Sequence, residues 1–462
     1  MSGGEPEPEP EAVLVFRDFV IDGETYRIVD GRVLVGFKNP PEPPQMDPNY
    51  YDVERPDNDP VMMALCPIVE EIPEVAAFIQ AEGLTVYCDW PPAKAIAVIL
   101  PEGTTVEDAV SNWPTEYPDL IEAVEPDYAV YPHSDWPSGP PSDDAWTSYW
   151  NLREDQDHDI NIQQAWRSGY LGYPSEVVAM IDTGVQRSHP DLALLATPYG
   201  FNVKHTLVST RCTLGGGGPM PYVYEKNAAM ARVAGHGTCT TGIVCARINN
   251  GDGIPDNGND TCGISYGNRY LPVAMDLYWD WQYGPTFTAS TCCNAYAVAL
   301  IVKRVIWNYI GSDTWPFYNI EVVNCSFGGS EWLDYVASRI LRWLTPYAVV
   351  VASAGNEGRH DFYRVYPAAC IDVMCIAAHN QTDLIPFYNY PAWTALIAPT
   401  WVPTTDMPGT NYLGHPLGYN PSLESYKIDE FQGTSASAPH VSAVAALMAS
   451  AHRDWTPAQI RS

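Results

Sequence analysis

The chain has 462 residues, of which 56 are acidic and 24 basic, so its formal net charge is −32 and its pI is about 4.4. This charge makes nucleic acid an unsuitable partner, and no apolar run is long enough for a membrane helix. The length and the hydrophobic fraction of 46% allow two or three domains with sizeable cores. The acidity could hold cations, or it could be an adaptation to salt without one specific purpose.

Residues 1–30 are interpreted as an acidic, low-complexity N-terminal segment. Glu and Pro alternate from residue 5 to residue 11, which is typical of extended, disordered chain. The segment has neither the basic region nor the apolar core of a secretion signal. Either export is signalled upstream of this chain, or the protein is intracellular.

Residues 31–132 are predicted to form a small α+β domain. Strand-like and helix-like patterns follow one another in the order β-α-β-β-α-β, which indicates a split βαβ, ferredoxin-like unit. The predicted elements are a strand ending at 38, a helix over 68–82, strands over 84–90 and 93–100, a helix opened by a capping box at Thr105, and a strand over 121–131. Residues 133–144 are rich in Pro, Ser, Gly and Asp and are predicted to be a linker where processing occurs.

Residues 145–462 are predicted to form an α/β domain. Apolar, β-rich runs alternate with helical patterns, which predicts a mostly parallel sheet with helices on both faces. The strands are expected over 177–181, 270–276, 321–326, 349–352 and 370–377, and the helices over 237–247, 291–310, 332–345 and 435–450. Thr456 and Pro457 open a helix just before the last residue, so we expect the C-terminus to be truncated.

Three polar residues stand where such a fold places reactive groups. Asp182 ends a buried strand, and the carboxyl ends of strands carry the sites of open α/β sheets. His236 lies in a Gly-His-Gly-Thr segment at a helix start, and Ser435 follows Gly-Thr at another, where free N–H groups favour a developing anion. Ser435 could instead be a plain N-cap, but Pro439 inside its helix costs about 3 kcal/mol and argues for a special role.

Asn356 completes the constellation. It follows the buried strand 349–352 in an Ala-Gly-Asn segment, so its amide could donate to an oxyanion. Asp, His and Ser in this chain order are the parts of a charge-oriented nucleophile. The sequence therefore predicts acyl transfer.

These motifs resemble those of the subtilisin-like (subtilase) serine proteases over roughly residues 145–462. The resemblance implies a serine endopeptidase for protein and peptide substrates, with Asp182, His236 and Ser435 as the triad and Asn356 as the oxyanion donor. It also implies substrate-binding positions at Ser326, Phe327, Gly328 and Gly355.

The small domain is similar to the propeptide of this family, on its element order and on residues 123–128. This similarity implies a zymogen whose own propeptide inhibits the enzyme within the chain, with its C-terminal tail in the active site. An unrelated small α+β domain is the alternative.

A calcium (Ca²⁺) site is expected after the helix of His236, where the family has a calcium loop. Residues 249–260 are dense in Asp, Asn and Gly, which suits a hard cation, although the full EF-hand pattern is missing and a polar turn is the alternative. The expected ligands are Asp191, Asp252, Asp256 and Asp260. No organic cofactor is expected.

Two rival functions stay open. One is a catalytically inactive, subtilase-fold binding protein; the other is an esterase, against which the missing Gly-x-Ser-x-Gly elbow counts. We expect a monomer in the extracellular space or the cell envelope, without nucleic acid or membrane as partner. Such a location would favour disulfides among the 11 cysteines, and Cys370 and Cys375 are close enough in sequence for one.

Overall fold

The computed structural model describes the greater part of the chain. The described residues are 14–21, 24–40, 68–132, 149–152, 158–186, 189, 191–192, 201–203, 235–247, 261–275, 278–280, 284–301, 303, 319–329, 335–361, 363–381, 388–406 and 427–462. Among them, no helix is long and apolar enough to cross a bilayer. The predicted linker 133–144 and the loop 249–260 lie outside the described residues.

The strands and helices are numbered in chain order. The strands are β1 (Phe16–Ile21), β2 (Glu24–Phe37), β3 (Thr85–Trp90), β4 (Ala95–Ile99), β5 (Ile121–Pro132), β6 (Glu176–Asp182), β7 (Phe201–Val203), β8 (Arg269–Met275), β9 (Tyr278–Asp280), β10 (Gly284–Thr288), β11 (Asn319–Cys325), β12 (Phe327–Gly328), β13 (Val349–Ser353), β14 (His360–Asp361), β15 (Val373–His379), β16 (Tyr390–Pro391), β17 (Thr394–Pro399), β18 (Val402–Thr405) and β19 (Lys427–Phe431). The α-helices are α1 (Pro73–Glu82), α2 (Val106–Glu116), α3 (Ile162–Arg167), α4 (Gly235–Cys245), α5 (Ala289–Ile301), α6 (Tyr335–Leu344), α7 (Thr434–Ala451) and α8 (Pro457–Arg461).

The N-terminal sheet has the predicted split βαβ topology. Its strands lie in the order β3-β4-β2-β5, each antiparallel to its neighbour, and α1 and α2 each follow a strand as expected. The capping box at Thr105 is formed with Asp108. Phe37, Phe78 and Trp113 pack edge to face and join the sheet to both helices.

Two boundaries in this domain differ from the prediction. The sheet begins at Phe16, because β1 forms a hairpin with β2, so the low-complexity segment does not extend to residue 30. The helix predicted over 68–82 is a 3₁₀ turn at Val69–Glu71 followed by α1. Pro73 explains this break, since proline is favoured in the first turn of a helix and cannot continue one.

The second sheet is parallel throughout and confirms the predicted α/β class. Its order is β17-β15-β13-β11-β6-β8-β7. Alternate residues of β6 enter different cores: Val178 and Met180 pack in the core that contains α4 and α7, while Ala179 and Ile181 pack in the core that contains α5 and α6. A strand covered on both faces needs a continuous apolar run, which is the pattern that predicted it.

The strand predicted over 370–377 starts three residues later. Residues up to Asp372 form a turn, in which Asp372 has a φ of 64°, and β15 begins at Val373. The suggested disulfide between Cys370 and Cys375 is absent. Burial instead raises the pKa of the Cys375 thiol to about 12, so this cysteine behaves as a small core residue.

Candidate active site

Asp182 is delivered by the C-terminal end of β6, as the sequence predicted. Its side chain is buried, and three donors fix the carboxylate. Oδ1 accepts a hydrogen bond from the Thr183 N–H at 2.6 Å and lies 2.8 Å from His236 Nδ1, while Oδ2 accepts from Thr240 Oγ1 at 3.2 Å. The orientation of this carboxylate is therefore set by the turn after β6 and by the first residues of α4.

His236 reaches Asp182 because α4 begins very close to the turn after β6. A Cβ at Gly237 would lie 2.1 Å from the carbonyl oxygen of Gly184, so only glycine allows this approach. Carboxylate oxygens only accept, so Nδ1 of His236 carries a proton, and in the neutral ring Nε2 then has the lone pair. The Phe431 ring packs edge-on against the imidazole at a centroid distance of 5.6 Å.

Ser435 is the second residue of α7, and Pro439 shapes its surroundings. Proline has no N–H, so the carbonyl of Ser435 lacks its usual helical donor four residues ahead. The hydroxyl of Ser326 donates to this carbonyl at 3.1 Å. Because of the proline, the Ser435 carbonyl is available to Ser326, and this hydrogen bond connects the start of α7 to the chain just after β11.

The hydroxyl of Ser435 is not bonded to His236 in this structure. It donates to the carbonyl oxygen of Ser326 at 2.9 Å, and His236 Nε2 is buried with no hydrogen-bond partner in the described part of the chain. The structure therefore brings Asp182 and His236 into direct contact but leaves the serine–histidine bond unmade. Such bonds often form only when substrate binds.

Asn356 follows β13 and is held by Thr434. Its Oδ1 accepts hydrogen bonds from the Thr434 N–H at 3.0 Å and from Thr434 Oγ1 at 2.9 Å. Thr434 Oγ1 also accepts from the Gly355 N–H at 3.0 Å. Because Oδ1 already accepts two hydrogen bonds, the amide nitrogen is the group of Asn356 that remains as a donor.

An extended segment of the N-terminal domain lies between two strands of the α/β domain. The end of β5 is antiparallel to β10 on one side, with Ala129 opposite Thr288. On the other side it is antiparallel to β12, with Tyr131 opposite Gly328 and Pro132 opposite Phe327. Pairing of an extended peptide with Phe327 and Gly328 was predicted, and here residues of the same chain provide it.

The same strand covers two helix ends of the α/β domain. Glu125 accepts from the N–H groups of Tyr335 and Val336 at 3.2 Å each, at the start of α6. Asp127 accepts from the N–H and Oγ of Ser290 at 3.0 and 2.9 Å, at the start of α5. Carboxylates satisfy free N–H groups and favour the positive end of a helix, so both contacts stabilise docking.

Of the four predicted calcium ligands, only Asp191 lies in the described residues, so the calcium site stays a prediction. Asp191 is buried, and its Oδ2 accepts from the N–H and Oγ1 of Thr261 at 3.1 and 2.7 Å. Asp252, Asp256 and Asp260 lie outside the described residues. In the part of the chain that the structure describes, no group of three or more His, Cys, Asp or Glu side chains could hold a metal ion.

Several hydrogen bonds among buried polar residues around Ser435 were missed from the sequence. Asn324 donates to Ser326 Oγ at 3.0 Å and accepts from Ser442 Oγ at 2.8 Å. Thr434 belongs to the Gly-Thr-Ser motif and could have been found there. Asn324 and Ser442 are 118 residues apart, so no local pattern marks their contact.

His440 gives a prediction for acid stability. Its Nδ1 lies 2.7 Å from the Ala436 carbonyl and its Nε2 lies 2.8 Å from the Asn151 amide nitrogen, an arrangement that fits a neutral ring. Burial lowers the pKa of His440 to about 3, against about 6.5 when unfolded. Below about pH 6.5 His440 is therefore protonated in the unfolded chain but stays neutral in the folded chain. Its contribution to the free energy of unfolding then falls by about 1.4 kcal/mol for each pH unit of acidification, until about pH 3.

When the pH is lowered from 7 to 5, the free energy of unfolding should thus fall by about 2 kcal/mol more in the unaltered chain than in His440→Gln. Chemical denaturation at the two pH values measures this difference. Asp89, whose pKa burial raises to about 6, opposes this trend equally in both proteins. His452→Gln, at an exposed histidine, is the matched control. Equal losses in the unaltered chain and in His440→Gln would contradict the prediction.

Comparisons with known proteins agree with this geometry. The profile of the Subtilase family matches residues 175–462. The chain is 28% identical over 381 residues to the extracellular basic protease of Dichelobacter nodosus, covering 76% of this chain and 54% of that protein. It is 25% identical over 297 residues to subtilisin amylosacchariticus of Bacillus subtilis subsp. amylosacchariticus, covering 63% and 60%. The chain thus spans less than two thirds of the length of either relative.

The fold has a solved counterpart. Fervidolysin from Fervidobacterium pennivorans, a keratinolytic enzyme related to subtilisin, superposes with a TM-score of 0.62 at 20% identity, covering 99% of this chain and 59% of its own. This likeness concerns the fold alone and includes the N-terminal sheet. Because the family profile covers well over half of the chain, the protein belongs to the Subtilase family.

Proposed function

We propose that this protein is a serine endopeptidase that hydrolyses peptide bonds in protein and peptide substrates. The observation that carries the proposal is the buried hydrogen bond of 2.8 Å between Asp182 and His236, on the α4 helix that packs against the Ser435 helix, α7. An imidazole oriented in this way can take a proton through Nε2. The hydrogen-bond donors around Ser435 would then stabilise the charge that develops on the attacked carbonyl group.

Acylation begins when the Ser435 hydroxyl leaves the Ser326 carbonyl and turns to His236 Nε2. Oγ attacks the substrate carbonyl carbon while Nε2 takes the proton, and Asp182 stabilises the imidazolium. The carbonyl oxygen becomes an oxyanion that accepts hydrogen bonds from the Asn356 amide and the Ser435 N–H. The imidazolium then protonates the leaving amine, and the C–N bond breaks.

Deacylation repeats these steps with water. His236 removes a proton from a water molecule, which attacks the acyl-enzyme, and the same oxyanion donors stabilise the second tetrahedral state. Collapse of that state returns the proton from His236 to Ser435 and releases the acid. Each group is thus used twice, and no cofactor is needed for the proton balance.

The N-terminal domain is proposed to act as an intramolecular inhibitor of a zymogen. Support comes from the end of β5, which occupies the position between β10 and β12 where an extended substrate would pair. A cut within 133–144 would separate the two domains. We further propose that the mature protein is a monomer that works outside the cell or in its envelope, in line with the name of the Dichelobacter relative.

The proposal is tested by incubating the chain, after a cut within 133–144 and removal of the N-terminal domain, with a denatured protein and sequencing the products. Internal fragments should form, and a serine-directed fluorophosphonate should stop their formation. Ser437→Ala is a suitable control, because Ser437 is buried close to the active site but donates to the Ala398 carbonyl instead. Activity that survives full fluorophosphonate treatment would overturn the proposal, and complete inactivity after removal of the N-terminal domain would favour the binding-protein alternative.

We also propose that calcium binds the loop 249–260 together with Asp191. Support comes from the oxygen-rich sequence of the loop and from the contact between Asp191 and Thr261, the first residue after it. When bound, calcium would supply structural stabilisation rather than chemistry. The loop closely follows α4, so an ordered loop would brace the helix that carries His236.

Calcium should therefore raise the melting temperature, because a ligand at a hundredfold excess over its Kd adds about 2.7 kcal/mol of stability. The double substitution Asp252→Asn with Asp256→Asn should reduce this gain. The matched control is Asp143→Asn with Asp144→Asn, which removes the same charge from the predicted linker. Identical melting in chelator and in millimolar calcium would show that the loop is only a polar turn.

A further inference from the structure

Asn389 makes hydrogen bonds to the loop that carries Asn356, both before and after that residue. It precedes β16 and is 1% exposed. Its Nδ2 donates to the Ala354 carbonyl at 2.9 Å, and its Oδ1 accepts from the Arg359 N–H at 2.7 Å. One side chain therefore bridges the residues before and after Asn356 across five positions.

Asn389 makes two further hydrogen bonds to the same loop. The backbone N–H of Asn389 donates to the Gly355 carbonyl at 3.0 Å. Its Nδ2 also donates to Glu357 Oε2 at 2.5 Å. The residues on either side of Asn356 are thus both bonded to Asn389, while Asn356 itself is bonded to Thr434.

The backbone of the loop is shaped around this amide. Gly355 has a φ of 100°, which side-chain-bearing residues rarely adopt. A Cβ at Gly355 would lie 2.4 Å from Asn389 Nδ2 and 2.5 Å from Glu357 Oε2. The amide of Asn389 therefore fills the space that a side chain at Gly355 would need.

We propose that Asn389 is a positioning residue for the oxyanion donor, an inference that rests on the proposed peptidase function. Thr434 sets the orientation of the Asn356 amide, and Asn389 sets the position of the backbone that carries it. Asn389 acts through Asn356 and touches no reacting atom. Without it, the buried Ala354 carbonyl and the Arg359 N–H lose their partner, and the loop shifts to find others. A misplacement of about 1 Å at such a site costs about 10² in rate.

The test begins with Asn389→Ala, assayed on the peptide anilide that the unaltered chain cleaves fastest in a panel of P1 side chains. We expect kcat to fall by about 10–100-fold with KM within about threefold, because the oxyanion forms only in the transition state. Asn389→Asp keeps the size of the side chain but loses the amide donor. The same fall in kcat in this variant would show that the loss does not come from disturbed packing in Asn389→Ala. The control is Asn268→Ala.

Asn268 is a matched control because it makes the same kind of contact elsewhere. It is fully buried, and its Nδ2 donates to the Glu176 carbonyl at 2.9 Å and to Ser450 Oγ at 3.0 Å. It precedes β8, so it lies at the end of the sheet opposite to the active site. Its replacement should lower the melting temperature but leave kcat within twofold.

The decisive comparison is a double-mutant cycle with Asn356→Ala. If Asn389 acts through Asn356, its replacement should change kcat by less than about threefold once Asn356 is absent. An equal loss in both backgrounds, or kcat within twofold for both Asn389 variants, would overturn the inference. Ser435→Ala separates the two claims: normal hydrolysis in that variant would sink the proposed function, whereas an inactive Ser435→Ala beside normal Asn389 variants would sink only this inference.

Discussion

His236→Ala should lower kcat by about 10⁶, the loss found for removal of the triad serine or histidine in subtilisin. In the proposed mechanism Nε2 of His236 accepts the Ser435 proton, and the 2.8 Å contact with Asp182 fixes the tautomer of the ring. Without the imidazole, the hydroxyl keeps its hydrogen bond to the Ser326 carbonyl and stays unactivated. KM should change little, because no substrate contact is removed.

The control for this prediction is His452→Ala. His452 is exposed and stacks on Trp455 at the end of α7, so its loss should leave kcat within twofold. Peptide-anilide kinetics of the three proteins measure both effects. A loss below tenfold for His236→Ala would mean that another group acts as the base.

Asp127→Ala should destabilise the full-length chain by about 3–5 kcal/mol, the usual result of removing one partner of a buried ion pair. Asp127 is fully buried and lies 4.0 Å from Arg32, and it also accepts from the Tyr87 hydroxyl at 3.0 Å. Burial raises the pKa of Asp127, so the site depends on its donors to keep a carboxylate there. Loss of the Asp127 carboxylate would leave the Arg32 guanidinium buried without this counter-charge.

Denaturant unfolding in a Ser435→Ala background, which prevents self-digestion, measures this effect. Glu122→Ala is the matched control, because Glu122 also bonds across the same interface, to Arg339 at 2.7 Å, but its side chain is 43% exposed. An exposed pair contributes about 0–1 kcal/mol. Similar losses for the two variants would contradict the role given to the buried contact.

Elements with strong periodicity were predictable from the sequence. The strand that carries Asp182 and the helices that carry His236 and Ser435 lie where predicted, because apolar runs and Gly-rich starts mark them locally. The N-terminal topology also followed from its element order. β1 was missed because its FRDFVI sequence stands next to acidic, proline-rich chain that indicates disorder.

Contacts between distant residues could not be predicted. Asn389 is separated by 30–35 residues from the loop it holds, and its own segment shows no motif. The hydrogen bond of the Ser435 hydroxyl could not be predicted either, because its acceptor is the Ser326 carbonyl, 109 residues away in the sequence. Motifs thus located the chemical groups, while long-range packing decided how each group is oriented.

The most direct measurement of the central claim is the position at which a fluorophosphonate becomes attached. After the N-terminal domain has been removed, peptide mapping by mass spectrometry should find one adduct per chain, on Ser435, in the natural protein and in Ser437→Ala. Ser435→Ala should carry no adduct and show no peptide hydrolysis. An adduct on another residue, or hydrolysis that continues in Ser435→Ala at the natural rate, would contradict the assignment of Ser435 as the nucleophile.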